Sequence, residues 1–340
     1  MKEFQFKGGV IVKPNPTYKA FEHLINGRTK KFFNRYHQKV TIADDFLFVG
    51  SINIAEEYSN IKYGTMGFVD LNIYLKKSPS QKKVLRFFHE ILNENLDQIP
   101  QENYEQINQL LKSEKVIETV NENGTVVYNE KEIFSYKEGD FFEEFLEEKP
   151  PERSEIQDNI FEILENAQSS ITIVAPYYLN LTKLDNLLIK AMKKGVKVQI
   201  YTSHKRDQPA YKNFHNSELF QNLIKNGAEV YEFLDKVLHL KAYNVDNKIL
   251  NLGSMNNDIT SFALNNEANY LIKRNDFNSH IFQRFDKIIL EIKDNSRKIG
   301  LEYPKSPTKF LLNTWWKFFI FMMEWTVSNR TPKYKTSNNE

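Results

Sequence analysis

The alternation of apolar and polar positions changes character along the chain. Up to about residue 77, short runs of β type recur: Gly9-Val-Ile-Val-Lys13, Val40-Thr-Ile-Ala43, Phe46-Leu-Phe-Val49 and Phe68-Val-Asp-Leu-Asn-Ile-Tyr74. Branched and aromatic residues in period-two alternation suit a half-buried strand. Pro79 closes that stretch, and a helical pattern follows from Lys82 to Leu96. From about Glu155 the pattern becomes regular. Ile156 to Ala167 reads as an amphipathic helix, Ile171 to Ala175 as a strand ending at Pro176, and Leu181 to Lys194 as a helix stopped by Gly195. A strand at Val196 to Tyr201 and a helix at Ser217 to Asn226, stopped by Gly227, come next. Glu229 to Phe233, Leu238 to Asn244 and Lys248 to Leu252 read as three more strands. Such strand–helix–strand alternation predicts an α/β fold with a mixed sheet covered by helices.

The stretch between, 98–152, is polar and poor in core residues. Glu138 to Glu152 holds seven acids against one Lys, with Pro150-Pro151 near its end. It is expected to be an insertion or linker presenting a solvated acidic face. Composition narrows the remaining choices. With 41% apolar residues among 340, the chain can bury a core and is not disordered throughout. Lys plus Arg is 46 and Asp plus Glu 44, so the net charge of +2 makes no global case for nucleic acid. The absence of cysteine excludes disulfides, thiolate nucleophiles, zinc ribbons and Cys-ligated iron–sulfur clusters. The opening MKEFQFKGGVIVK lacks the continuous apolar core of a signal peptide. No run reaches the roughly 20 apolar residues of a spanning helix.

The chemistry lies in an internal repeat. His37-Gln-Lys39-Val-Thr-Ile-Ala-Asp44 precedes Gly50-Ser51-Ile-Asn53, and His239-Leu-Lys241-Ala-Tyr-Asn-Val-Asp246 precedes Gly253-Ser254-Met-Asn256. Both copies are H-x-K-x4-D followed by G-S-x-N. The one-residue difference between them falls at the turn, Asp44-Asp45 against Asp246-Asn247-Lys248. On a strand, i and i+2 share a face, so each His projects with its Lys. Asp44 and Asp246 fall at the following turn. The small Gly-Ser-x-Asn residues let backbone amides, a hydroxyl and a side-chain amide approach an oxyanion. Two copies together supply two imidazoles, two ammonium groups, two hydroxyls and two amides: a phosphate site with two groups that titrate near neutrality.

These residues resemble the paired HKD motifs of the phospholipase D superfamily. Further segments resemble its bacterial-type cardiolipin synthase branch: Ile171-Thr-Ile-Val-Ala-Pro176-Tyr-Tyr178, Ala191-Met-Lys-Lys-Gly195-Val-Lys-Val198, and Asn256-Asn-Asp258-Ile-Thr-Ser261-Phe262-Ala-Leu264-Asn265-Asn-Glu267. Gly50-Ser-Ile-Asn53-Ile-Ala-Glu-Glu57-Tyr58 is similar to the first-copy motif of that branch. Departures stand at Thr260, Asn257 and Asn72. The resemblance implies two similar lobes, each a mixed sheet flanked by helices. They would span 1–97 and 153–300, with 98–152 between them and 301–340 as an aromatic tail. Roughly 50 residues fewer precede His37 than precede His239 in its lobe, enough for two strands and a helix. The first lobe is therefore expected to be N-terminally incomplete, a gap that a missing segment or an oligomer would fill.

The resemblance also implies a mechanism. One imidazole attacks phosphorus and forms a phosphohistidine; the other protonates the leaving alkoxide and then deprotonates the acceptor. Family analogy makes His37 the nucleophile and His239 the acid/base. The catalytic set is His37, Lys39, Asp44, His239, Lys241 and Asp246, with Asp44 and Asp246 ordering the site. Ser51, Asn53, Ser254 and Asn256 would bind phosphate, and Asp70 and Glu267 would orient the histidines. No metal or cofactor is required, because ammonium groups supply the charge. The favoured activity passes a phosphatidyl group to phosphatidylglycerol; a phospholipase D-type hydrolase and a nucleic-acid phosphodiesterase are the alternatives. The segment Phe310 to Val327, with Trp315, Trp316 and Trp325 and flanking cations, suits an interfacial helix on a membrane surface. The corresponding location is the plasma membrane in a bacterium or the mitochondrial inner membrane in a eukaryote.

Overall fold

The structure, a computed structural model, describes residues 35–53, 67–76, 78–96, 99–120, 126–129, 143–149, 153–178, 181–204 and 219–301. The Gly9–Lys13 run, the start of the helix expected at Ser217, and the aromatic tail lie outside them. Two compact units divide the chain. One gathers Thr41–Phe48 and Tyr74–Phe145; the other gathers His37–Val40, Val49–Ile73 and the residues from Leu146 onward.

The first copy of the repeat is carried by a three-stranded sheet in the order β1-β2-β3, from β1 (Val40–Ala43), β2 (Phe46–Gly50) and β3 (Asn72–Lys76). Period-two alternation buries Leu47, Val49 and Ile73 and leaves Phe46, Phe48 and Tyr74 on the opposite face. There the Tyr74 ring lies 5.1 Å from Phe46 and 5.0 Å from Phe48.

The smaller unit continues through α1 (Gln81–Asn93), α2 (Gln101–Ser113) and a hairpin of β4 (Ile117–Val120) and β5 (Val126–Tyr128). Leu111, Val116 and Ile117 form a small core there. His89 of α1 is fully buried. Its ring nitrogens lie 2.8 Å from Tyr128 Oη and 2.8 Å from Asn108 Oδ1, and burial lowers its pKa. A histidine outside the repeat is thus a hydrogen-bonded core residue.

The acidic stretch is not the solvated face that its charge suggests. It ends in β6 (Glu143–Lys149), which stands beside β13 (Glu267–Lys273) in a nine-stranded sheet, with Phe145, Leu146, Glu147 and Glu148 buried. Charge counting misses the few apolar residues placed at core positions. It also misses the ways acids are accommodated. The backbone N–H of Gln157 donates to Glu148 at 3.2 Å, and burial pushes the Glu148 carboxyl up to about 9, so it is neutral at pH 7.

The larger unit is built on that sheet, in the order β14-β10-β9-β8-β11-β12-β13-β6-β7. The strands not yet introduced are β7 (Arg153–Ser154), β8 (Ser170–Val174), β9 (Lys197–Ser203), β10 (Glu229–Phe233), β11 (Ala242–Val245), β12 (Ile249–Gly253) and β14 (Ser296–Lys298). β8, β9 and β10 are parallel and joined by α4 (Thr182–Lys193) and α5 (Gln221–Lys225); β11 runs antiparallel to both β8 and β12. The α/β expectation therefore holds, with a mixed sheet and flanking helices. In α3 (Glu155–Glu165), Ile156, Ile160, Ile163 and Leu164 recur at helical spacing and join Leu184 and Leu188 of α4 over Ile171, Ile173, Val198 and Ile200. Gly195 ends α4 at φ +90°, a conformation that costs glycine no Cβ clash. Phe282 and Phe285 are buried on α7 (Ser279–Asp294), which packs on β10 and β14. The strand expected at Leu238 starts at Ala242, so His239 and Lys241 lie just before β11, as His37 and Lys39 lie just before β1.

Candidate active site

Both copies of the repeat enter one site within the larger unit. The backbone N–H of His37 donates to Asn266 O at 2.9 Å, and that of His239 to Val69 O at 2.8 Å. Each histidine is thus tied to the residue preceding an acid of the other copy. The side chains repeat the exchange. His37 Nδ1 lies 2.8 and 3.1 Å from the two carboxylate oxygens of Glu267, and His239 Nδ1 lies 2.8 Å from Asp70 Oδ2. A carboxylate only accepts, so in a neutral ring it favours the proton on Nδ1 and leaves the lone pair on Nε2. Both acids are buried, at 0% exposure for the Glu267 side chain and 2% for Asp70. The rings differ: the His37 side chain is 26% exposed and that of His239 5%. His239 sits against Phe68 and Tyr177, with ring centroids 5.9 and 6.5 Å away.

Each ammonium folds back on its own copy. Lys39 Nζ donates to His37 O at 2.5 Å and Lys241 Nζ to His239 O at 2.7 Å. Lys241 Nζ also lies 2.8 and 2.9 Å from the ring nitrogens of His239. Burial lowers Lys39 to about 8, against the opposing pull of Glu267 and Asp70. For Glu267, burial pushes the carboxyl up, but His37, Ser254 and Lys39 outweigh it, and the acid lies below its ordinary value. Glu267 is therefore ionised at neutral pH.

The Gly-Ser-x-Asn turns hold these acids. Ser51 Oγ donates to Asp70, and Ser254 Oγ donates to Glu267 at 2.5 Å. Ser261 of the short helix α6 (Ile259–Ala263) adds a second hydroxyl to Glu267 at 2.7 Å. Asp258 caps that helix, accepting from Ser261 N at 2.9 Å. Asn256 is buried, and its Oδ1 has no partner among the described residues. Asn53 is half-buried on the equivalent turn.

Asp44 and Asp246 occupy hairpin turns in the left-handed region, at φ 51° and 55°, which aspartate tolerates better than most residues. Asp246 accepts from the backbone amides of Gln168, Ser169 and Ser170 at 2.7–2.9 Å, and so anchors the entry to β8. Asp44 is exposed.

Two asparagines join the site: Asn72, which stands in the sequence only as a departure from the family pattern, and Asn269, which none of the motifs there singles out. Asn72 Oδ1 accepts from Ile52 N at 3.1 Å, and Asn269 Oδ1 accepts from Met255 N at 3.2 Å. Both carboxamides lie against the glycine that opens the turn, where a Cβ on Gly50 or Gly253 would collide with them. The signal is a second repeat, acid-x-Asn, in Asp70-Leu-Asn72 and Glu267-Ala-Asn269. It lies 20 residues after Gly50 but 14 after Gly253, and unequal spacing hides it from a search at fixed distance.

Fold and site together define a duplicated imidazole–ammonium centre on a mixed α/β sheet. A family model described as "Cardiolipin synthase, PLD-like domain" matches residues 160–289. The cardiolipin synthase of Halalkalibacterium halodurans is 27% identical over 274 residues, which cover 79% of this chain and 48% of that protein. Cardiolipin synthase B of Salmonella typhi is 26% identical over 266 residues, covering 78% and 58%. The phosphatidylserine synthase of Haemophilus influenzae shares the fold, with a TM-score of 0.60 at 17% identity over 87% of this chain and 70% of that one. Residues 160–289 thus match a PLD-like domain of cardiolipin synthase type, and the chain is similar to curated cardiolipin synthases over most of its length. It spans about half the length of the curated relatives it matches.

Proposed function

We propose that the protein is a phosphatidyltransferase of the cardiolipin synthase type. The observation that carries this reading is the crossed brace: two imidazoles, each with Nδ1 engaged by a buried carboxylate of the other copy. In the reaction, Nε2 of one ring donates its electron pair to phosphorus as the P–O bond to the leaving glycerol breaks. The departing alkoxide takes a proton from the other ring. The acceptor hydroxyl then returns a proton to that ring and attacks phosphorus, and the P–N bond breaks. The more exposed His37 is assigned as nucleophile and His239 as acid/base. Lys39 and Lys241, with Ser51, Asn53, Ser254 and Asn256, would stabilise charge on the phosphoryl oxygens. Asp44 and Asp246 would order the turns.

Phosphatidylglycerol as substrate, and a membrane surface as the place of work, belong to the same reading and rest on the resemblance to cardiolipin synthases. Among the described residues no helix is long and apolar enough to cross a membrane. Two lobes at 1–97 and 153–300 are the layout that goes with it. The test is product analysis with labelled phosphatidylglycerol. Cardiolipin plus glycerol supports the transferase, phosphatidic acid would assign a hydrolase, and cleavage of nucleic acid alone would overturn the lipid reading. His37→Ala and His239→Ala should each abolish turnover, with the fold retained by circular dichroism although loss of a ring from its buried acid lowers the melting temperature.

A further inference from the structure

We propose that Asn72 and Asn269 are positioning residues that set the two imidazoles crosswise, Asn72 acting on His239 and Asn269 on His37. The path is continuous in the first copy. Asn72 Oδ1 fixes the Ile52 amide and packs on Gly50, which holds the turn in place. The turn carries Ser51, whose hydroxyl donates to Asp70 Oδ1; the other oxygen of Asp70 meets His239 Nδ1. The second copy repeats each link. Asn269 Oδ1 fixes the Met255 amide and packs on Gly253. Ser254 donates to Glu267 Oε2, and the Glu267 carboxylate meets His37 Nδ1.

A carboxamide suits this position for two reasons. It offers an acceptor of the right length without a second negative charge two residues from the acid. Its orientation can also be fixed by its own NH2 group. Asn269 Nδ2 donates to Asn251 Oδ1 at 2.6 Å, and Asn251 Nδ2 donates to Asn159 Oδ1 at 2.9 Å. The first copy carries Phe48 at the place of Asn251, counted back from the glycine. Asn269 is therefore the more firmly held of the two.

The kinetic arm of the test rests on the transferase reading; the spectroscopic arm does not. Imidazole Nδ1–H protons held by carboxylates give downfield proton resonances, which His37→Gln and His239→Gln assign. In Asn72→Ala the His239 resonance should broaden or vanish while that of His37 persists, and Asn269→Ala should do the reverse. Turnover should fall about 10- to 100-fold in kcat with KM within about twofold, as expected of misplaced reacting groups. Loss of the resonance of the same copy, or both resonances intact, would overturn the proposal. Should Asn72→Ala fail to fold, Asn72→Asp keeps the length and the acceptor oxygen. It should shift the His239 resonance and spare that of His37, and a shift of His37 instead, or of neither, would refute the crosswise path. Intact crossed effects in a protein that makes no cardiolipin would sink the transferase reading alone.

Discussion

Glu267→Gln isolates the charge of the buried acid from its shape. The wild-type carboxylate is fully buried and accepts from Ser254 Oγ at 2.5 Å, Ser261 Oγ at 2.7 Å and His37 Nδ1 at 2.8 Å. Glutamine keeps the volume but brings an NH2 group into a ring of donors, so at least one hydroxyl must turn away. Hydrogen bonds to a charged group contribute about 1.5–3 kcal/mol each, and breaking a buried pair costs about 3–5 kcal/mol. We expect a loss of about 3–5 kcal/mol at pH 7.

The pH dependence has a definite sign. Glu267 lies below its ordinary value of 4.5 in the folded protein, so its ionisation stabilises the fold above that pH. That contribution is lost as pH falls through the folded value. The gap between wild type and variant should therefore be full at pH 7 and narrow below about pH 4.5, as measured by urea unfolding with linear extrapolation. Unchanged stability at pH 7, or a gap that widens in acid, would refute the reasoning. Turnover should also fall by about 10⁴-fold, the scale seen when the group that fixes a catalytic histidine tautomer loses its charge.

Four further expectations follow from the same geometry. Lys39, held near 8 by burial, should lose its proton as pH rises through that value, so turnover falls on the alkaline side; a rate level to pH 10 would exclude a role for its charge. Protonated Lys39 also costs stability, because its folded value lies below its unfolded one. Unfolding experiments should show that cost relieved between about pH 8 and 10.5, opposite in sign to the effect on rate. Asp246→Ala strands three backbone amides at the entry to β8 and should lower stability by about 1–2 kcal/mol in thermal melts, since water reaches this turn. Gly253→Ala should lose activity and about 1–3 kcal/mol, because the new Cβ meets backbone of Ala268 and Asn269; Gly195→Ala, in open space at φ +90°, should cost about 1 kcal/mol and keep full turnover.

Much of the larger unit was legible because burial and alternation agree there. Strand β10 falls at Glu229–Phe233 as the sequence reads, and α4 ends at Gly195 as expected. Strand β13 did not announce itself. It opens with Glu267 and Asn269, polar residues whose burial is met by hydrogen bonds, so its pattern does not alternate as a half-buried strand should. Strand β6 was hidden by acids in the same way. The imidazole and ammonium residues were visible through their duplication, and the two acids through family resemblance. Which acid serves which ring was not visible, because the partners stand 230 and 169 residues apart and spacing carries no information at that range. Asn72 was read only as a departure from the family pattern, and the matching Asn269 drew no notice.

The diagonal pairing of rings and acids has a practical bearing on grafting and chimera building. A contiguous stretch holding one copy of the repeat would bring a histidine without the carboxylate that faces it, and would leave behind a carboxylate fitted to a ring no longer there. The transplantable parts are His37 with Glu267 and His239 with Asp70, each moved as a couple. Any crossover point between residues 70 and 239 separates both couples at once.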